Sequence, residues 1–93
     1  MAKLRASAMT AGAAHAVDVR GYSVYESGGS DAVVLEFRNG VVGGDVLHTV
    51  GLAAGGAESV MFSYDLEVTH AAGLWVKAVG SGTIVGTFLS EVG

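Results

Sequence analysis

Residues 32–38 read Ala-Val-Val-Leu-Glu-Phe-Arg, so Val33, Leu35 and Phe37 hold one set of alternate positions while Val34, Glu36 and Arg38 hold the other. A period of two is the mark of a strand with one buried face. The same pattern runs earlier in the chain. Val17 and Val19 alternate with Asp18 and Arg20, and after Gly21 the residues Tyr22, Val24 and Glu26 alternate with Ser23 and Tyr25. Residues 46–52 set Val46, His48, Val50 and Leu52 against Leu47 and Thr49, which predicts a strand covered on both faces. Val60, Phe62 and Tyr64 alternate with Ser59, Met61, Ser63 and Asp65, and the pattern restarts past a bend at 66–69. Near the C-terminus, Leu74, Val76 and Ala78 oppose Trp75, Lys77 and Val79, and Ile84, Gly86 and Phe88 oppose Val85, Thr87 and Leu89.

Small and permissive residues break these runs at 27–31, 39–40, 43–45, 53–57, 70–73 and 80–82. Asn39-Gly40 tolerates positive φ and predicts a type I′ hairpin whose return strand starts at Val41 and Val42, and Gly80-Ser81-Gly82 predicts a terminal hairpin. About seven or eight short strands at this spacing predict an all-β fold, a small β-sandwich or barrel of the jelly-roll or Greek-key kind. The expected layout is one domain over residues 15–93 preceded by an extended N-terminal arm over 1–14, in which 2–12 is the only stretch compatible with a short helix.

Composition makes that domain thin. Val, Gly and Ala supply 44 of the 93 residues, whereas Leu, Ile, Met, Phe, Trp and Tyr supply 18. There is no Cys and no Pro, so neither a disulfide nor a thiolate metal site staples the fold, and the turns are made by permissive residues. The net charge of −4, with five basic residues, offers no footprint for phosphates, which argues against nucleic acid. No run approaches the roughly 18 apolar residues of a membrane span. Only 15% of residues are charged and the mean hydropathy is positive, a balance that leaves apolar area for partner chains and predicts a homo-oligomer, a trimer being favoured. Lys3 and Arg5 precede a small-residue tail as in a signal peptide. The apolar middle of one is missing, so synthesis in the cytoplasm without a signal is expected.

Candidate chemistry is sparse. His15, His48 and His70 have no metal-ligand spacing, and His48 reads as a half-buried, hydrogen-bonded residue of its strand. Asp65 and Glu67 share a strand face and suit a hard cation, but two carboxylates are too few ligands and a solvated edge explains them as well. The glycines at 80–86 precede a strand pattern and not a helix N-terminus, so they do not form a phosphate cradle. No nucleophile elbow is present, and no enzyme, cofactor or metal is expected. The candidate partner-binding residues are Lys3, Leu4 and Arg5 in the arm, as a strap across an acidic neighbour, together with Tyr25, Met61 and Trp75. Trp75 serves equally as a partner anchor, a sugar-stacking platform with a tyrosine, or the largest plug of the core.

The runs Gly21 to Glu26, Ala32 to Gly40, Val46 to Gly55 and Gly73 to Gly86 resemble small Gly/Ala/Val-rich virion structural proteins of tailed bacteriophages. The likeness spans about three quarters of the chain and lies in the order of strands and glycine turns, with no chemical motif behind it. It implies a capsid decoration or minor capsid protein on the virion surface, bound to the major capsid protein or other virion subunits. A tail or head-fibre component is the nearest variant, and a small carbohydrate-binding sandwich module is the alternative from another class.

Overall fold

The computed structural model describes residues 3–16, 18–63, 66 and 68–92. The described residues form eight strands and no helix: β1 (Lys3–Met9), β2 (Ala13–His15), β3 (Val19–Glu26), β4 (Val33–Asn39), β5 (Val46–Leu52), β6 (Ala57–Met61), β7 (Leu74–Gly80) and β8 (Ile84–Val92). They make two four-stranded antiparallel sheets, ordered β1-β8-β3-β6 and β2-β7-β4-β5. The pairing is nested: β1 with β8, β2 with β7, β3 with β6 and β4 with β5. A chain folded back on itself in four nested pairs and wrapped into two layers is a jelly-roll sandwich.

The inward positions are those the alternation marks. Val33, Leu35 and Phe37 of β4, Leu74 and Val76 of β7, and Tyr22, Val24 and Phe88 of the other sheet are all buried. Tyr22 and Phe88 meet Phe37 edge-on, with ring centroids 5.1 and 5.4 Å apart, so a few aromatic rings fill the space that a Val/Ala/Gly sequence would otherwise leave open.

Several local expectations change in the tertiary setting. The segment 3–9 is extended but is neither a helix nor a free strap, since it pairs in unbroken register with β8 from Lys3↔Val92 to Met9↔Gly86 and places Met9 in the core. The expected arm over 1–14 therefore supplies β1 and most of β2. Residues 80–82 do not close a hairpin, because β7 belongs to one sheet and β8 to the other. β5 begins at Val46 and not at Val41, leaving Val41 and Val42 exposed in the connection. There the Arg38 guanidinium donates to the Gly44 carbonyl at 2.9 Å and the Asn39 amide to the Asp45 carbonyl at 2.9 Å, which closes a loop longer than a two-residue turn. A bulge between Phe37 and Arg38 shifts Val46 outward, and Thr49 and Gly51 face solvent, so the second face of β5 is open except at Leu47, which is half-buried against the core. Val17, Tyr64, Asp65 and Glu67 lie outside the described residues, as do the side chains of Lys3 and Leu4.

Removing residues 1–9 is expected to lower the melting temperature by several degrees, because it strips Met9 from the core and unpairs β8. Thermal unfolding followed by circular dichroism checks this, and an unchanged melting point would show β1 to be dispensable.

Candidate interaction surface

Glu26 holds one end of the sandwich together. It closes β3 in phase with Tyr22 and Val24, and that phase turns its carboxylate inward, where the residue is 2% exposed. Four backbone amides converge on it: Gly28 and Thr83 donate to Oε2, each at 2.8 Å, and Gly29 and Gly55 donate to Oε1 at 2.7 and 3.0 Å. These amides come from the β3–β4, β5–β6 and β7–β8 connections, so one side chain ties three loops. Donation from Gly55, Thr83, Gly29 and Gly28 outweighs the opposing effect of burial and holds the carboxyl at about 2, against an ordinary 4.5.

At the other end Asn39 does comparable work. Its Oδ1 accepts from the Thr69 and His70 amides, both at 3.1 Å, and its Nδ2 donates to Thr69 Oγ1 at 2.8 Å. Gly40, at φ +80°, packs so closely on the His70 ring that a Cβ would collide with it. Beside this junction lies a shallow groove of about 200 Å³ lined by Ala16, Asp18, Val68, His70, Ala71 and Gly73. The His70 Nδ1 accepts the Ala72 amide at 3.0 Å, and among the described lining residues there is no Ser, Thr, Cys or Lys.

Between the two ends, His48 on β5 meets Tyr22 on β3 across the sheets, with Nε2 2.8 Å from the hydroxyl. Burial, with Glu58 adding a smaller effect, pushes the Tyr22 hydroxyl up to about 12, and burial pushes the His48 imidazole below its ordinary value. His15 sits elsewhere, edge-on to Phe88 at 5.1 Å, with the Thr10 amide donating to its Nε2 at 2.9 Å. The three histidines therefore do not converge, and no group of three His, Cys, Asp or Glu suited to a metal occurs among the described residues.

The two outer sheet faces differ sharply. On the β2-β7-β4-β5 sheet, Glu36 lies in register between Thr49 and Lys77, and its Oε1 pairs with the Arg38 Nη2 at 2.6 Å. Trp75 is on this face, between Ala14 and Arg38. It is half-buried and is not the core plug, and its Nε1 is enclosed without a partner among the described residues. On the β1-β8-β3-β6 sheet three successive outward rows hold no charged residue, and the same phase of β8 continues to Glu91, in register with Leu4. Tyr25 lies between Val85 and Ala57; Ser23 lies between Thr87 and Ser59, with Ala8 beyond Thr87; Gly21 lies between Leu89 and Met61, with Ala6 beyond Leu89. Met61 lies across the buried Gly21, where a Cβ would collide with its Sδ, and it remains 57% exposed.

The structure thus puts Tyr25, 48% exposed, and Met61 on one face, at opposite ends of the β3–β6 pair. Trp75 is on the other sheet, so Tyr25 and Trp75 cannot form one stacking platform. Arg5 is exposed on β1 at the rim. No protein family, curated protein or solved structure matches this chain. The residues missed by sequence reasoning are Glu26 and Asn39, although the in-phase position of Glu26 with Tyr22 and Val24 was a readable sign of its inward aim.

Two predictions follow from these contacts. Because the folded Glu26 carboxyl titrates at about 2, below its ordinary 4.5, its stabilising contribution is present above 4.5 and fades as pH falls toward 2. Glu26→Gln should therefore unfold at lower urea than wild type at pH 7, and the gap should close in acid; equal midpoints at pH 7 would count against the tie. For His48 the folded imidazole favours the neutral form, so wild type loses stability as pH falls through the ordinary value of 6.5. His48→Leu should lack that loss while costing about 1–3 kcal/mol at pH 7, because the buried Tyr22 hydroxyl loses its partner. Urea titrations of His48→Leu and of the Tyr22→Phe/His48→Leu double variant read this out, the double variant recovering part of the cost.

Proposed function

We propose that this chain is a non-enzymatic structural subunit of a bacteriophage virion, a capsid decoration or minor capsid protein that occupies a lattice of identical sites. The observation that carries the reading is the set of three uncharged rows on the outer face of the β1-β8-β3-β6 sheet. On a chain of net charge −4, such a face can be covered by another protein without desolvating an ion. Its centre is small side chains and hydroxyls, suited to shallow contact, and a contact repeated over many copies gains avidity without a deep pocket. The jelly-roll architecture is compatible with this role and with others, since the same fold serves lectins and cupins as well as capsids. The likeness to small tailed-phage virion proteins supports the choice among them. A tail or head-fibre position would use the same surface.

The test is particle composition. In phage particles banded on a density gradient from cells expressing the gene, the protein should co-migrate with capsids in multiple copies. Thr87→Lys, which puts a charge in the middle row, should remove it from the particles, whereas Val34→Lys on the opposite sheet should not. Absence of the wild-type protein from the particles would overturn the proposal.

A further inference from the structure

We infer that Asn39 is a site of spontaneous modification, converting to aspartate or isoaspartate through a cyclic imide, and that the fold withholds it by clasping its side chain to the β6–β7 connection. The inference stands apart from the virion reading. Asn39 is the one side-chain carboxamide of the chain, since the sequence holds no other Asn and no Gln, and it directly precedes Gly40. With no Cβ on the following residue, nothing hinders its backbone nitrogen from closing a five-membered ring. The Gly40 nitrogen gives up its proton to hydroxide and bonds to Asn39 Cγ; the Cγ–Nδ2 bond breaks, and Nδ2 leaves as ammonia, taking a proton from water. Water then opens the imide. Attack at Cγ breaks its bond to the Gly40 nitrogen and leaves an ordinary peptide with a side-chain carboxyl. Attack at the backbone carbonyl carbon breaks the original peptide bond, so that the chain continues through Cβ and Cγ as isoaspartate.

In the folded chain neither reacting group is free to move. The electrophile is held by three hydrogen bonds to one connection, with Oδ1 accepting from the Thr69 and His70 amides at 3.1 Å and Nδ2 donating to Thr69 Oγ1 at 2.8 Å. The nucleophile is held through the backbone. The Asn39 amide donates to the Asp45 carbonyl at 2.9 Å, the Val41 amide donates to the Asn39 carbonyl at 3.0 Å, and Asn39 lies in register with Leu74 of β7. The bond from Val41 back to Asn39, with Gly40 at φ +80° between them, is the geometry of a γ-turn, and the His70 ring packs against Gly40 from outside. A five-membered imide takes the backbone of residue 39 out of the extended conformation of a paired strand. Clasp and turn therefore oppose ring closure together.

The shield is local. Thr69 and His70 are exposed, so their bonds to Asn39 open without separating the sheets. The two products then differ in fate. Aspartate fits the site, because a carboxylate still accepts from the Thr69 and His70 amides, and the Thr69 hydroxyl, which accepts from Nδ2, turns to donate to the new oxygen. Isoaspartate does not fit: its extra backbone methylene shifts residue 39 against Leu74 and carries Gly40 away from the His70 ring. The same connection supplies Val68, His70, Ala71 and Gly73 to the groove, so isoaspartate marks a copy whose groove has come apart.

Intact mass spectrometry over time at mildly alkaline pH tests this on the full chain, because the exchange of side-chain amide for acid has one residue at which to occur. Conversion should be at least about tenfold slower in the folded wild type than in concentrated urea. Thr69→Val, which removes the acceptor of Nδ2, should speed conversion of the folded chain several-fold, the factor of one hydrogen bond, and leave the rate in urea unchanged. Thr69→Ser, which keeps the hydroxyl, should convert at the wild-type rate. Peptide mapping separates the products: the aspartate form and Asn39→Asp should unfold at the urea midpoint of wild type at pH 7, and the isoaspartate form below it. Equal rates in the folded chain and in urea would overturn the shield, and no conversion in urea would overturn the site itself. A folded Thr69→Val that converts no faster than wild type would overturn the clasp. Should that variant fail to fold, the wild-type comparison between folded chain and urea decides alone.

Discussion

The structure depends on one carboxylate. Glu26 sits where three connections meet, and its two oxygens accept four backbone amides from residues that lie outside the strand ladders. All three connections carry the chain from one sheet to the other, β3 to β4, β5 to β6 and β7 to β8, and the last does so in three residues. So short a crossing requires its backbone groups to be met on the spot. The Thr83 amide donates to Glu26, the Ser27 amide donates to the Thr83 carbonyl at 2.8 Å, and the Gly82 amide donates to the Ala32 carbonyl at 3.2 Å. A neutral side chain cannot draw four donors as strongly as an ionised one, which is why a charged residue is buried in a chain that has few.

The thin core explains why such ties matter. With most apolar residues being Val and Ala, packing relies on Tyr22, Phe37 and Phe88 in edge-on contact, extended by Phe62 and His48 at 5.1 Å toward the β5–β6 side. Tyr22 and His48 are the polar members of this cluster and satisfy each other across the sheets. Polar pairing inside an otherwise apolar layer fixes the relative position of β3 and β5 where dispersion alone would let them slide.

The two outer faces differ in charge. The Glu36–Arg38 pair and Lys77 put charge on one sheet, whereas three rows of the other hold only small, hydroxyl and apolar residues. In the reading proposed above, the charged sheet keeps the chain dispersed while the flat one meets a neighbour. Gly21 and Met61 show how the flatness is made: glycine lowers the sheet surface and methionine lies over it.

The sequence by itself determined that the chain is all-β, where most strands fall, and which residues of β3, β4, β7 and β8 turn inward. Side chains on a strand alternate by local geometry, and a buried face imposes that period on the letters. Only the tertiary structure decided that residues 3–9 form a strand, that β7 and β8 part into different sheets, that Val41 and Val42 stay in a loop, and that Trp75 faces out. Each of these depends on which strand pairs with which, and on whether a distant group such as Glu26 or Asn39 takes up a turn's free amides. Pairing is a non-local choice among strands with the same period, and a period of two carries no record of it.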